Sequence, residues 1–206
     1  MMGKKTAEGT RVITCHLGNG SSITAVKDGK SIDTSMGFTP LEGVPMGTRC
    51  GSMDPAVVTY LMDKKNMTAA EVNSYMNKKS GMLGLSGVSS DFRDLGEGAK
   101  TNERCDIALR SFAYNVKKYI GAYSAAMNGV DAIVFTAGVG ENDRGMREMI
   151  LRGLDYLGVE VDYDYNMNCP RGEEVEISTK SSRVKVFVIP TDEEMVIAQD
   201  TARLAK

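Results

Sequence analysis

Val12-Ile13-Thr14-Cys15-His16-Leu17, then Gly18-Asn19-Gly20, then Ser22 to Lys27, then Asp28-Gly29 and Lys30 to Ser35, is the stretch that decides the fold class. The first run is β-branched and ends abruptly at two glycines. The second alternates apolar and polar residues, and Asp-Gly between alternating runs is a strong two-residue hairpin signal. Three consecutive strands in a meander follow, with a glycine-rich turn joining the first two.

Helical signals come next. Asp54-Pro55 reads as an N-cap followed by proline at the first helical position, leading Ala56 to Lys64. Thr68 with Glu71 three positions on is a capping box for a second helix that stops near Gly81. Leu109, Phe112, Ala113, Val116, Ile120 and Met127 recur at helical spacing and mark a long helix over 102–128. Asp131 to Ala137 is then a largely apolar strand of the kind buried on both faces. Gly138-Val139-Gly140 ends it, and Asp143 to Leu154 reads as a helix. Val184 to Ile189 is a further strand stopped by Pro190, and Thr191-Asp192-Glu193-Glu194 opens a final helix to about Leu204. The order βββ, helices, β, helix, β, helix, without internal repeat or low-complexity linker, predicts one α/β domain with a mixed sheet.

Composition limits the chemistry. The chain has 206 residues, with 25 Lys+Arg against 27 Asp+Glu and a formal net charge of −2. That balance gives no footprint for nucleic acid or an anionic membrane. No run approaches the ~18 apolar residues of a membrane span. There is one histidine, no tryptophan and four cysteines, none in a C-x-x-C pair. These exclude a His-rich metal site and the common zinc spacings. Cys15 and Cys105 read as small core residues, and a reducing, cytoplasmic setting is expected.

Polar and glycine-rich residues gather at three strand ends: His16 to Ser22, Gly138 to Asn142, and Thr191 to Glu194. In open α/β sheets ligands bind beyond the carboxyl ends of strands, so one shared crevice is expected. Several positions carry two readings. Gly18-Asn19-Gly20 is a phosphate-cradling turn or a plain hairpin turn. Gly138-Val139-Gly140-Glu141-Asn142 is a nucleotide-binding strand-to-helix turn or a tight connection without a ligand; it lacks the third glycine of the dinucleotide fingerprint. His16 is a structural histidine or a donor to a phosphoryl oxygen. Arg49, set in Gly47-Thr48-Arg49-Cys50-Gly51, is a surface arginine or one presented to an oxyanion or carboxylate. Asp91-Phe92-Arg93-Asp94 holds an aromatic against a ligand ring or forms a charged loop around one core phenylalanine. Glu193 and Glu194 favour the helix dipole or hold a metal ion.

Together these motifs go further. His16 to Ser22, Thr34-Ser35-Met36-Gly37-Phe38-Thr39-Pro40-Leu41-Glu42-Gly43, Met46-Gly47-Thr48-Arg49, Thr136 to Asn142 and Ile189 to Glu194 closely resemble the acetate kinase family, in the same order and from Arg11 to the chain end. The resemblance implies an α/β, ribonuclease-H-like (actin-like ATPase) domain with a mixed central sheet flanked by helices. It implies phosphoryl transfer between ATP and acetate, giving acetyl phosphate and ADP, with Mg²⁺ (or Mn²⁺) as cofactor. His16 and Arg49 then take the catalytic roles, the arginine on the carboxylate or acyl phosphate. Gly18, Asn19 and Gly20 form the phosphate loop, Asp91, Phe92 and Arg93 the adenosine pocket, and Gly138, Val139, Gly140, Glu141 and Asn142 its facing wall. Glu193 matches the carboxylate that helps hold the metal.

The family's chain is roughly twice this length. The expectation is therefore a tag-like or disordered 1–10 followed by a C-terminal nucleotide-binding domain over 11–206, with the N-terminal domain absent and little activity in the isolated half. Propionate kinase shares these motifs, and a non-catalytic nucleotide-binding or dimerisation module is the alternative of a different class. A homodimer is expected, with no nucleic-acid partner and no membrane partner.

Overall fold

The computed structural model describes residues 3 and 6–205, the side chain of Glu193 apart. Strand β1 (Arg11–Leu17) and strand β2 (Ser21–Lys27) pair antiparallel, with Leu17 opposite Ser21 across the Gly18–Gly20 turn. Strand β3 (Lys30–Thr34) returns along β2 through Asp28 and Gly29, both at positive φ as a tight two-residue hairpin turn requires. Strand β4 (Ala132–Thr136) lies parallel to β1 on its other side, and β6 (Lys185–Val188) lies parallel to β4. A two-residue strand β5 (Val175–Glu176) completes the sheet, whose order is β3-β2-β1-β4-β6-β5. This is the mixed sheet expected from the meander followed by alternating helix and strand, in the ribonuclease-H-like class that the family resemblance implies.

Period-two patterning sets the faces. Ile13, Cys15 and Leu17 of β1 and Ile23 and Ala25 of β2 are buried on one side. Against β1 and β2 lies α5 (Glu103–Ala126), whose Cys105, Leu109, Phe112, Val116 and Ile120 repeat at helical spacing and are buried. Its start is capped by the Asn102 side chain, and its end is followed by Asn128 and Gly129, both at positive φ. At the opposite edge, β3 is exposed throughout.

Smaller helices surround this frame. Helix α1 (Ala56–Lys65) starts as expected, with the Asp54 side chain accepting the Ala56 N–H at 2.9 Å. Helix α2 (Ala69–Lys78) carries the Thr68–Glu71 capping box. Three short helices were not legible in the sequence: α3 (Gly81–Ser86), α4 (Phe92–Gly98) and α8 (Tyr163–Asn168). Gly81 opens α3 rather than closing α2, and α2 ends at Lys78. Helix α6 (Ala137–Asn142) replaces the expected Gly-Val-Gly turn, and α7 (Arg144–Leu151) follows it. Helix α9 (Glu193–Leu204) is last. Toward the N-terminus, contacts reach beyond Arg11: Thr10 is buried, its N–H donates to Ala7 O, and the Gly9 N–H donates to Asp28 Oδ1 at 2.6 Å.

The β1–β4 register is fastened where both strands begin. Arg11 donates through Nε and Nη2 to the two oxygens of Asp131, at 3.2 and 2.7 Å, and its backbone N–H meets Asp131 Oδ2 at 2.8 Å. Two-point geometry of this kind specifies alignment as well as energy. If burial in the β1–β4–β6 core carries stability, Ile133→Ala lowers the unfolding free energy by about 2–5 kcal/mol in urea titration. Ile32→Ala on the exposed β3 changes it by less than about 0.5 kcal/mol.

Candidate functional site

Parallel pairing of β1 and β4 places His16 opposite Thr136, so both strands end at the same edge. Beyond that edge the chain cannot spread apart. A Cβ on Gly18 would lie 3.3 Å from the Ala137 Cβ, and one on Gly20 would lie 3.6 Å from Arg49 Nη1. The Gly18–Gly20 turn therefore packs between α6 and the Arg49 loop, and glycine suits that close approach.

A cleft of about 640 Å³ opens here. It is lined by Gly18 and Asn19, by Asp91, Phe92 and Arg93, and by Gly138, Val139 and Asn142, so three separately predicted groups meet in one place. Gly47, Ser90, Asp143 and Arg171 also line it and were not singled out in the sequence. Asp143, expected as the first residue of a helix, is instead the N-cap of α7 and accepts the Met146 N–H at 2.8 Å. Arg171 sits in a turn with no periodicity to mark it. A second lobe of about 600 Å³ shares Gly18, Asn19 and Gly138 with the first and adds His16, Gly20, Glu141, Thr191, Asp192 and Glu194.

Two predicted segments are not the loops expected. Asp91 is the N-cap of α4: its Oδ1 accepts the Arg93 N–H at 2.8 Å while its Oδ2 takes Arg93 Nη2 at 2.6 Å. These bonds hold the Asp91 carboxyl at about 2, the side-chain bond from Arg93 contributing most. With the folded value below the unfolded one, whatever stability Asp91 contributes is complete above the ordinary range near ~3.9. It is lost as pH falls through about 2. Phe92 satisfies both of its readings: it lines the cleft and also stacks edge-on against Phe112 of the core at 4.7 Å.

The second correction concerns Gly138–Asn142, which is helix rather than turn. The chain enters it at Ala137 with φ +63, a conformation that costs an L-residue energy. Neighbours hold it there. The Ala137 N–H donates to Thr191 Oγ1 at 3.1 Å, and Glu141 Oε1 accepts the Thr191 N–H at 3.0 Å. Gly140 is buried, and a Cβ there would lie 3.5 Å from Cys15 O and from Phe135 C.

Arg49 is placed by a network that the sequence did not reveal. The Met46 N–H donates to Arg49 O, the Ser80 N–H to Thr48 O, the Leu83 N–H to Gly47 O, and the Cys50 N–H to Met76 O, all at 2.9–3.0 Å. Gly81, at φ +57, passes so close that a Cβ would sit 2.1 Å from Met46 O and 2.5 Å from Arg49 O. The guanidinium itself donates to Pro40 O at 3.3 Å and lies beside Gly20, lining neither lobe. For Glu193, only the backbone position is described, at the first residue of α9.

The glycine-rich strand ends of a mixed sheet thus meet around one polar cleft, the place where ligands bind in open α/β folds. The sequence profile described as the acetokinase family matches residues 1–199, and the chain belongs to that family. It is 58% identical over 207 residues to acetate kinase of Methanosarcina thermophila, covering all of this chain and 50% of that protein. The crystal structure of Porphyromonas gingivalis acetate kinase superimposes with a TM-score of 0.92 at 49% identity, over 97% of this chain and 50% of the other. That of a propionate kinase from Francisella tularensis gives 0.85 at 43%, over 93% and 48%. The chain thus spans about half the length of the curated relatives it matches.

The Gly81 contacts make a direct test of how Arg49 is held. Gly81→Ala combines a left-handed φ with two backbone clashes, so the loss exceeds the ~1–3 kcal/mol usual for such strain, read as a lowered urea midpoint. Gly138→Ala, where a Cβ meets nothing within 4 Å, leaves the unfolding free energy within about 0.5 kcal/mol of wild type.

Proposed function

We propose that residues 11–206 are the nucleotide-binding half of an enzyme that moves a phosphoryl group between ATP and acetate. One observation carries this reading: the Gly18–Asn19 turn, the Asp91–Phe92–Arg93 segment and the α6 residues Gly138, Val139 and Asn142 line one cleft. In it, Phe92 and Val139 offer apolar surface to a base, and the glycine turn offers backbone N–H groups to phosphates.

Phosphoryl transfer asks a protein for positioning and for stabilisation of charge on the transferring group. His16, at the end of β1 beside the turn, is the donor to a phosphoryl oxygen. Arg49, on the other side of Gly20, binds the carboxylate or acyl phosphate after leaving Pro40 O, an exchange of one modest hydrogen bond for a charge-assisted one. Acetate is already ionised near neutrality, so no general base is required. Mg²⁺, or Mn²⁺, fits the second lobe as an ion carried by the nucleotide. Such an ion takes one or two carboxylates and keeps several waters, and the carboxylates lining the lobe are Glu141, Asp192 and Glu194, with the Glu193 backbone at the first residue of α9. Bound, it neutralises charge on the phosphates. Asp192 Oδ1 already accepts the Met195 N–H at 2.9 Å and Glu141 Oε1 the Thr191 N–H at 3.0 Å, so both are oriented.

The remaining length of the relatives supplies the opposite wall in this proposal, and a homodimer is the expected association. The likeness to a propionate kinase supports a second reading, with propionate as the acyl acceptor of the same site. Calorimetry of the 206-residue chain with Mg·ADP should show saturable binding, weakened at least ~10-fold by Asn19→Ala. Acetyl phosphate formation stays near background until the N-terminal half of a relative is added, and Arg49→Ala then lowers the restored rate by about 10²–10³-fold. Absence of binding at millimolar ADP would favour an association module instead.

A further inference from the structure

Arg147 is a buried cation that none of these roles uses. It is among the largest fully buried side chains, 1% exposed, on the inner face of α7. All five of its N–H groups are engaged. Nε meets Asn166 Oδ1 at 2.9 Å, Nη1 meets Gly140 O at 2.9 Å and Glu141 O at 2.7 Å, and Nη2 meets Asn166 O at 3.4 Å and Cys169 Sγ at 3.6 Å. None of these partners is a carboxylate. Burial pulls the guanidinium below its ordinary value, yet the charge is kept where an apolar side chain would be the simpler core.

The reason lies in α6. A six-residue helix leaves its last carbonyls without partners of its own. It also begins at the unfavourable Ala137. Its start is held by Thr191 and its end by Arg147. The same guanidinium reaches α8, and Asn166 Nδ2 returns to Arg144 O at 3.0 Å while Arg144 Nη2 donates to Cys169 O at 2.7 Å. The turn carrying Arg171, two residues beyond Cys169, is thereby joined to the block that carries Gly138, Val139 and Asn142.

We propose that Arg147 is the positioning residue of the cleft: its planar fork, braced by Asn166, fixes α6 and with it the wall against which the nucleotide lies. This rests on the nucleotide reading of the cleft. A lysine keeps the charge but cannot span the α6 carbonyls and α8 together.

The test is hydrogen–deuterium exchange of the unliganded chain, paired with Mg·ADP calorimetry. Arg147→Lys accelerates exchange of amides 137–142 by about tenfold or more and raises the ADP dissociation constant by about tenfold, the equivalent of one lost charge-assisted bond. Exchange in β1 and β4 stays unchanged. Asn166→Ala, which leaves the two α6 carbonyl contacts in place, moves both readouts in the same direction by less. It also serves if Arg147→Lys does not fold. Ile150→Val, a buried change on the same helix, lowers thermal stability without moving either readout. Unaltered exchange at 137–142, or equal effects in Ile150→Val, overturns the proposal. Failure of the wild-type chain to bind ADP overturns the nucleotide reading instead, while the exchange data still decide what Arg147 holds.

Discussion

Two parallel strands that stop side by side leave their following residues little choice. With Val12 opposite Ala132 and His16 opposite Thr136, the residues after β1 and β4 emerge at one edge of the sheet. The space between them is tight: a Cβ on Gly18 would lie 3.3 Å from the Ala137 Cβ, so the neighbour would have to give way by a few tenths of an ångström. The register itself is held by the Arg11–Asp131 pair at the far end and by Ile13, Cys15, Ile133 and Phe135 within the core. The cleft therefore depends on a strand pairing made some distance from it.

What surrounds that edge is short, irregular structure secured from outside. The Arg49 loop is pinned by backbone bonds to α2, to Ser80 and to α3, with Gly81 passing where a Cβ would run into Met46 O and Arg49 O. Helix α6 is held at its start by Thr191 and at its end by Arg147. Phe92 couples the cleft to the long helix through Phe112. Arg147 and Phe112, both buried, lie deeper in the fold than the cleft segments they hold, which is how a rigid binding geometry is maintained on loops and short helices.

The regular elements were legible because their signals are local. A β-branched run gave β1, alternation gave β2, Asp28-Gly29 gave the hairpin, the Thr68–Glu71 box gave α2, and helical spacing from Leu109 to Met127 gave α5. Most of the glycine and polar positions lining the cleft were also visible, as clusters at strand ends and through family resemblance. The short helices were not, since six or seven residues show too few turns for a period, and glycines at 138 and 140 read as a turn. Arg147 and Arg171 were invisible for a different reason. An arginine on a helix and an arginine in a turn ordinarily face water, and only tertiary structure reveals that one is buried and the other borders the cleft.

The central claim is that two strand ends, the α4 cap and α6 act as one nucleotide site. Backbone amide NMR of the ¹⁵N-labelled chain titrated with Mg·ADP tests it most directly. The account predicts that Gly18, Asn19, Phe92, Val139 and Asn142 shift together along a single saturation curve, while exposed β3 residues such as Ile32 do not move. Shifts confined to one of these segments, or different saturation points among them, would contradict it.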